Sequence, residues 1–576
     1  MQKFLPILDW LPHYKRSFFR KDLVAGVSTA IILIPQGMAY ALIAGLPAVY
    51  GLYAALLPIL IYALLGTSRR LAVGPVAMDS LLLAAALGTF AINGVENYIA
   101  MALLLTFMVG AIQLILGILR MGFLVNFLSK PVISGFTSAA ALIIIFSQLK
   151  HLFGVNVPQS SHIQELLLSL FAALPQTNWI SILVGCSGIL LILILKYWNS
   201  NIPAILIAVI LGVVTVYFFN LTASGISVLG AVPSGLPSFN WPTFNWLHVQ
   251  ELSTMALTIA LIGYMELVSI GKALEEKTNE ETIDANQELI ALGTANLFGS
   301  LFQSYAVSAS LSRSAINNEA GATTPMASII SVALVGLTLL FFTPLFYYLP
   351  NTILAAIIVV SVTGLIDIRF PMLLWKHNRD EFVLLLITFV MTLTIGIKEG
   401  ILFGVLFSLL LMVYRTSRPH FAVLGKIRGS YYYRNISRFK DEIEVRNDLL
   451  IVRFDAQLFF GNQRYFKKEL AKFIKTKGTD LRAIILNAEA INYIDATATD
   501  MLVGLIQELQ ENNIAFFISG AIGPTRDIIF NSAIIKLLHK DHLFANTQDA
   551  VSHYDNPTML NDLSEKLAHQ NRTQGN

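Results

Sequence analysis

The sequence is short of charge. Asp, Glu, Lys and Arg make up 13% of its 576 residues, about half of what a soluble domain carries. It has a single cysteine, Cys186, which excludes intramolecular disulfides. Cys186 sits in an apolar run and is expected to be a small buried hydrophobe. The formal net charge is only +3. No basic block accompanies it, so no nucleic-acid partner is expected. The chain also lacks a phosphate-binding Gly loop, a metal-ligand constellation and a Ser–His–Asp set. Neither ATP-driven transport nor catalysis is expected, and no metal or organic cofactor. No cleavable signal peptide is evident, because the first apolar run is too long for one and many others follow it.

What the chain does have is apolar sequence. Hydrophobic residues make up 55% of it, and the mean hydropathy is +0.66. From about Leu23 to Tyr414 apolar runs follow one another, most of them near the roughly 20 residues that cross a bilayer as a helix. The expected spans are 23–46, 51–66, 74–92, 98–118, 131–148, 178–196, 201–219, 252–271, 283–300, 306–318, 325–343, 351–367, 381–397 and 400–415. An N-terminal segment, 1–22, precedes this membrane domain, 23–415. Beyond Arg415 the sequence reads as a soluble domain over 420–555, followed by a polar tail, 556–576.

Lys and Arg set the orientation. Lys15, Arg16, Arg20, Lys21, Arg69, Arg70, Arg120, Lys130, Lys196, Lys272, Lys277, Arg369, Lys376, Arg379, Arg415 and Arg418 fall on one side. The other side holds little beyond Lys150 and Lys398, and the connection from Asn220 to Glu251 contains neither residue type. This asymmetry puts both termini in the cytoplasm, and a multi-pass protein of the cell (inner) membrane is expected.

The two halves echo each other. Gly66-Thr67 is followed by Ala72-Val73-Gly74, and Gly299-Ser300 by Ala306-Val307-Ser308, each before a short span, third in its half. Halves of seven spans are inverted relative to one another, and paired short, interrupted segments in such halves mark a transporter's central site. Pro75 suits the first turn of a helix, and the serines of 304–314 can cap one. Two half-helices aiming their N-termini at one point would present free N–H groups and positive dipole ends to an anion.

Charged residues inside spans are costly and mark function. Arg313, early in the second short helix, is expected to bind the anion or set its field. Glu266, well inside its span, is acted on in opposite senses by burial and by a nearby arginine, which can poise a carboxylate for proton uptake. A fixed Glu266–Arg313 ion pair is the simpler alternative. Asp79 is a second intramembrane acid and, with Glu266, a candidate for ion coupling. Gln36 follows Pro35, which is expected to break the first span locally, and Tyr40 lies one turn later on the same face.

Taken together, Ile34-Pro35-Gln36-Gly37-Met38-Ala39-Tyr40, the run from Gly66 to Pro75, and Ser310-Leu311-Ser312-Arg313-Ser314 resemble the SulP anion-transporter family. That family includes bacterial sulfate and bicarbonate permeases and, in animals, prestin and pendrin. The resemblance implies an α-helical polytopic fold of about fourteen spans in seven-plus-seven inverted repeats, with core and gate domains and elevator-like movement. It implies that Gln36, Tyr40, Pro75, Val76, Ser310, Ser312 and Arg313 surround the substrate. Glu266 matches an acidic position used by proton-coupled relatives. Val76 stands where prestin-like relatives carry an aromatic residue, and Asp79 departs from an apolar pattern.

The C-terminal part reads as α/β. Strands are expected at 449–454, 483–486 and 514–518, and helices at 462–475 and 498–511. It resembles the cytoplasmic STAS domain, through Asp495-Ala496-Thr497-Ala498, with Thr497 at the position phosphorylated in anti-anti-sigma relatives. A helix cap is the simpler role for Thr497. The resemblance implies a homodimer and a cytoplasmic regulator at this domain. Sulfate uptake by proton symport is the function expected. Bicarbonate or dicarboxylate transport, sodium coupling, anion exchange, a chloride channel and a nucleobase permease are the alternatives. A nucleobase site would read a neutral heterocycle and would not need Arg313.

Overall fold

The computed structural model describes residues 5–88, 90, 92, 94–123, 129–157, 163–199, 202–278, 283–439, 442–538 and 540–556. The expected polar tail lies outside them apart from Asn556. The chain divides into two compact units, Met1–Ser408 and Leu409–Asn576.

The first unit is helical. In chain order it holds α1 (Ile7–Trp10), α2 (Arg16–Ile43), α3 (Val49–Ala54), α4 (Leu57–Leu65), α5 (Ala77–Gly88) and α6 (Val95–Ile118). Then come α7 (Lys130–Phe153), α8 (Ile163–Ala173), α9 (Trp179–Trp198), α10 (Ala204–Phe218), α11 (Trp246–Thr278) and α12 (Ala285–Leu301). The series ends with α13 (Leu311–Glu319), α14 (Met326–Leu337), α15 (Asn351–Thr363), α16 (Arg369–His377) and α17 (Arg379–Thr394), and α18 (Ile397–Ser417) runs across the division at Ser408. Among the described residues seven helices are long and apolar enough to cross a membrane, with shorter apolar helices between them.

Every expected span contains a helix, with corrections that have physical causes. Span 51–66 is broken into α3 and α4, and Pro58 opens the second piece, where a missing N–H costs nothing. Two spans begin as extended chain: β1 (Val73–Gly74) precedes α5, and β2 (Ser308–Ala309) precedes α13. Pro35 does not break α2, which runs continuously through it. Cys186 is exposed, because only 28% of the α9 span is buried and most of its apolar surface faces outward. Helices α1, α8 and α16 are additional to the expected set.

Small residues let backbones touch. A Cβ on Gly110 of α6 would lie 2.8 Å from the Gly293 carbonyl oxygen of α12, and one on Gly293 would lie 2.9 Å from the Gly110 oxygen. Gly37 on α2 and Gly51 on α3 cross in the same manner.

The second unit is an α/β sheet. Its strands β3 (Phe421–Ile427), β4 (Tyr433–Asn435), β5 (Ile443–Glu444), β6 (Leu449–Phe454), β7 (Ala483–Asn487), β8 (Ala515–Ser519) and β9 (Leu543–Phe544) are ordered β4-β3-β6-β7-β8-β9, with β5 on β3. From β6 to β9 neighbours are parallel, and β3 is antiparallel to β6. Strand periodicity explains the two cores: Leu450, Val452 and Phe454 pack on one face, Leu449 and Ile451 on the other. Helices α19 (Gln463–Lys477), α20 (Ala496–Glu511), α21 (Gly523–Phe530), α22 (Ile534–Leu538) and α23 (Thr547–Asp555) complete it.

The α20 cap corrects the expectation for Thr497. Asp495 is the N-cap and accepts from the Ala498 N–H at 2.8 Å, while Thr497 is exposed within the first turn. A polar clasp fastens α23. Arg446 donates bidentately to Asp448 at 3.0 and 2.6 Å and also to Asp555 at 2.5 Å. The Arg446 bonds hold the Asp448 carboxyl below the usual carboxylate range.

Candidate anion-binding site

The site is built on the meeting of β1 and β2. They pair antiparallel, Val73 opposite Ala309 and Gly74 opposite Ser308, so the chain leaves the pair in opposite senses toward α5 and α13. Side chains from the surrounding helices fix this extended backbone. Asn296 on α12 accepts from the Val307 N–H at 2.8 Å and donates to its carbonyl at 3.2 Å. Gln113 on α6 accepts from Asn296 at 3.0 Å and donates to the Ala260 carbonyl of α11 at 3.1 Å. Ser308 donates to the Gly263 carbonyl at 2.7 Å.

The segment before β1 is joined to α13. The Ala72 N–H donates to Ser314 Oγ at 2.9 Å, the Ser310 N–H donates to the Ala72 carbonyl at 2.9 Å, and Asn317 donates to the Arg70 carbonyl at 2.8 Å. Buried Glu288 of α12 accepts from Tyr62 at 2.7 Å and from the Thr67 N–H at 2.8 Å. Extended backbone at this depth is therefore satisfied by protein, as an apolar surround requires.

Ser310 is the N-cap of α13 and accepts from the Arg313 N–H at 3.4 Å. Ser312 is exposed at the same helix start, its Oγ 3.4 Å from that of Ser310. On the other side Val76 caps α5, its carbonyl accepting from the Ser80 N–H at 3.1 Å. Pro75 thus lies just outside the helix instead of in its first turn, where its ring would meet a Cβ on Gly37 at 3.4 Å. Both helix starts carry the positive ends of the helix dipoles.

Arg313 is 0% exposed, and its Nε, Nη1 and Nη2 form no hydrogen bond among the described residues. Nη2 lies 3.3 Å from where a Cβ on Gly74 would stand. Its electrostatic neighbours are Tyr40, Tyr305 and Glu266. No ion pair joins Arg313 to Glu266 among the described residues, so the fixed salt bridge is not the arrangement observed. Glu266 on α11 is half-buried with Oε2 shielded and unpartnered, and it feels both Asp79 and Arg313. Asp79, in the first turn of α5, is 1% exposed. Its carboxylate faces Gly263, 3.5 Å from a Cβ placed there, and Oδ1 has no partner among the described residues.

From α2, buried Gln36 donates to Ser361 Oγ of α15 at 3.4 Å and leaves Oε1 without a partner among the described residues. Tyr40 neighbours Arg313 and Ser361. The structure thus gathers Tyr40, Asp79, Glu266 and Arg313 around one buried point, with Gln36, Pro75, Val76, Ser310 and Ser312 beside it. Thr497 belongs to the other unit. Sequence reasoning missed Tyr305, Ser361, Asn296, Gln113 and Glu288. Asn296 and Gln113 are polar residues inside apolar runs, a signal that could have found them. Among the described residues no group of His, Cys, Asp or Glu could hold a metal ion.

Residues 19–388 match the sulfate permease family, and residues 440–550 match the STAS domain. The chain is 37% identical over 567 residues to "Sulfate transporter 4.1, chloroplastic" of Arabidopsis thaliana, covering 95% of this chain and 82% of that protein. Its fold is similar to that of murine Solute Carrier 26 family member A9, an anion transporter in the inward-facing state. That likeness has a TM-score of 0.87 at 24% identity and covers 95% of this chain and 93% of the other. The transmembrane domain of a cyanobacterium bicarbonate transporter, BicA, aligns with a TM-score of 0.60 at 21% identity, over 69% of this chain and 98% of that one. The chain is therefore a polytopic membrane protein of the sulfate permease family with a STAS domain in its C-terminal part.

Proposed function

We propose that this protein is a secondary active transporter that takes up sulfate with protons, binding the anion between the N-termini of α5 and α13. One observation carries the reading: the Arg313 guanidinium is fully buried with none of its three nitrogens hydrogen-bonded among the described residues. An unpaired buried cation is expensive, and an oxyanion completes it. A guanidinium fork matches two oxygens of a tetrahedral dianion. The Ser310 and Ser312 hydroxyls and the N–H groups at the helix starts can take the others. Chloride offers no such pair of acceptors, and the plant relative named as a sulfate transporter supports the choice of anion.

Coupling follows from charge. Glu266 and Asp79 stand in the same buried region as Arg313, and an ionised carboxylate there repels a dianion. A proton on Glu266 removes that repulsion, so each ligand strengthens the binding of the other. Sodium is the alternative coupling ion. The hydrogen bonds welding β1, β2 and α13 together favour their moving as one body, as in an elevator. The contact from Gln36 to Ser361, at 3.4 Å, is weak enough to slide past. The same reading puts both termini in the cytoplasm of a cell membrane and pairs two copies of the chain, with a regulator acting on the STAS domain.

The test is uptake of labelled sulfate into proteoliposomes under imposed proton and sodium gradients. Bicarbonate, fumarate and chloride serve as competitors, and Glu266→Gln is run in parallel. The expected result is proton-driven accumulation that the variant loses. Uptake indifferent to both gradients and to the variant would refute coupling. Transport of another anion with no sulfate uptake would refute the substrate.

A further inference from the structure

Away from the anion site, α7, α16 and α17 enclose a cavity of about 520 Å³, within the about 300–1,000 Å³ of small-molecule sites. Its wall is almost wholly apolar, with Leu142 from α7, Met372 from α16, and Leu386 and Phe389 from α17. Two of its polar side chains are already committed. Ser138 accepts from the Asp367 N–H at 3.3 Å, and the Asp367 carboxylate accepts the Arg369 and Phe370 N–H groups at 3.0 Å each. Lys376 also lines the cavity and forms no ion pair among the described residues.

Two further cations lie against α16 outside the lining. The Lys130 ammonium lies 4.7 Å from the centroid of the Phe370 ring, and the Arg379 guanidinium lies 5.6 Å from that of Trp375. Asp380 and Glu381 follow Arg379 and, like Lys130 and Arg379, do not line the cavity, whose charged residues are Lys376 and Asp367. Around the opening Ile368 is 67% exposed, and Met372 and Trp375 are 56% exposed. An amphipathic helix with an outward aromatic and a basic end belongs at the boundary of headgroups and acyl chains.

We propose that this cavity is a binding site for an anionic phospholipid of the adjoining leaflet, with one acyl chain inside and the phosphate at Lys376. An acyl chain asks for no hydrogen bonds, as the wall offers almost none. A phosphate answers Lys376, with Lys130 and Arg379 beside the same helix α16. The helices behind the cavity are in backbone contact, since a Cβ on Gly135 of α7 would lie 2.5 Å from the Leu385 carbonyl oxygen of α17. A lodged chain therefore braces α16 against a rigid pair.

The test uses the full-length protein in nanodiscs doped with phosphatidylglycerol or phosphatidylcholine, each carrying a photoreactive group in the acyl chain. Labelled peptides are read by mass spectrometry. Labelling is expected to concentrate on the α7, α16 and α17 residues facing the cavity. Lys376→Gln, an exposed change that leaves the fold intact, is expected to cut the phosphatidylglycerol preference about fivefold. Leu386→Trp, which fills the cavity, is expected to lower labelling by both lipids. Labelling spread evenly over all bilayer-facing helices, or unchanged in both variants, would overturn the proposal. So would crosslinks showing that a second copy of the chain covers the opening.

Discussion

Arg313→Met separates what the arginine does for the anion from what it does for the fold. The side chain is 0% exposed and its nitrogens bond to no protein group among the described residues. A charge inside a span costs at least about 2.5–3.5 kcal/mol, and methionine, of similar length, removes it. Without sulfate the variant should therefore unfold at the same temperature as the native protein or a higher one. Sulfate at about 100 times its Kd stabilises the native protein by about 2.7 kcal/mol, and the variant should lose this gain. Two charge-assisted hydrogen bonds at about 1.5–3 kcal/mol each put the loss of affinity at about two to four orders of magnitude. Thermal unfolding of the purified protein with and without sulfate measures both quantities. A fixed ion pair with Glu266 makes the opposite prediction: removing the arginine strands a buried carboxylate and destabilises by about 3–5 kcal/mol. A sulfate-free loss of that size, or undiminished stabilisation by sulfate, would refute the reasoning.

Three further outcomes follow from the same geometry. Gly74 has φ +147° and its Cβ position lies 3.3 Å from Arg313 Nη2. Gly74→Ala is therefore expected to cost about 1–3 kcal/mol in backbone strain and to weaken sulfate binding by displacing the guanidinium, and native affinity in a binding titration would contradict this. Asn296→Ala leaves the N–H and carbonyl of Val307 without partners. It should cost about 1–3 kcal/mol in thermal unfolding and lower uptake, whereas unchanged stability would show that the clamp is dispensable. In the second unit, Arg446 holds Asp448 below its ordinary value. At Asp455 burial acts the other way, but Arg453 and His420 hold it low. Stability from a depressed carboxylate is present above its unfolded value, about 3.9, and is lost as pH falls through the folded one. Hydrogen-exchange protection of α23, corrected for intrinsic rates, should fall below about pH 4; constant protection to pH 3 would refute the clasp.

Much of the architecture was legible because a membrane span announces itself by length and apolarity. The resemblance carried the short segments to a common site, and the structure brings Val73–Gly74 and Ser308–Ala309 together as a strand pair. What escaped was interior detail. The break between α3 and α4 falls inside one apolar run, where hydropathy has no feature to mark it. Cys186 looked buried because an apolar neighbourhood in a membrane protein faces lipid as readily as core. Asn296 acts on the Val307 backbone just beyond its own helix, and it is held by Gln113 of α6, which in turn bonds the Ala260 carbonyl of α11; one sequence carries no pattern for such pairings. Thr497 was read as a cap when Asp495, two residues earlier, has the extended backbone a cap needs.

The central claim is that an oxyanion sits between the two half-helices against Arg313. An electron cryomicroscopy structure of the full chain with selenate, a heavier stand-in for sulfate, tests it most directly. The account predicts density within hydrogen-bond distance of the Arg313 guanidinium and Ser310 Oγ, at the N-terminal ends of α5 and α13. Selenate bound elsewhere, with the Arg313 nitrogens turned onto Glu266 or Asp79, would contradict it.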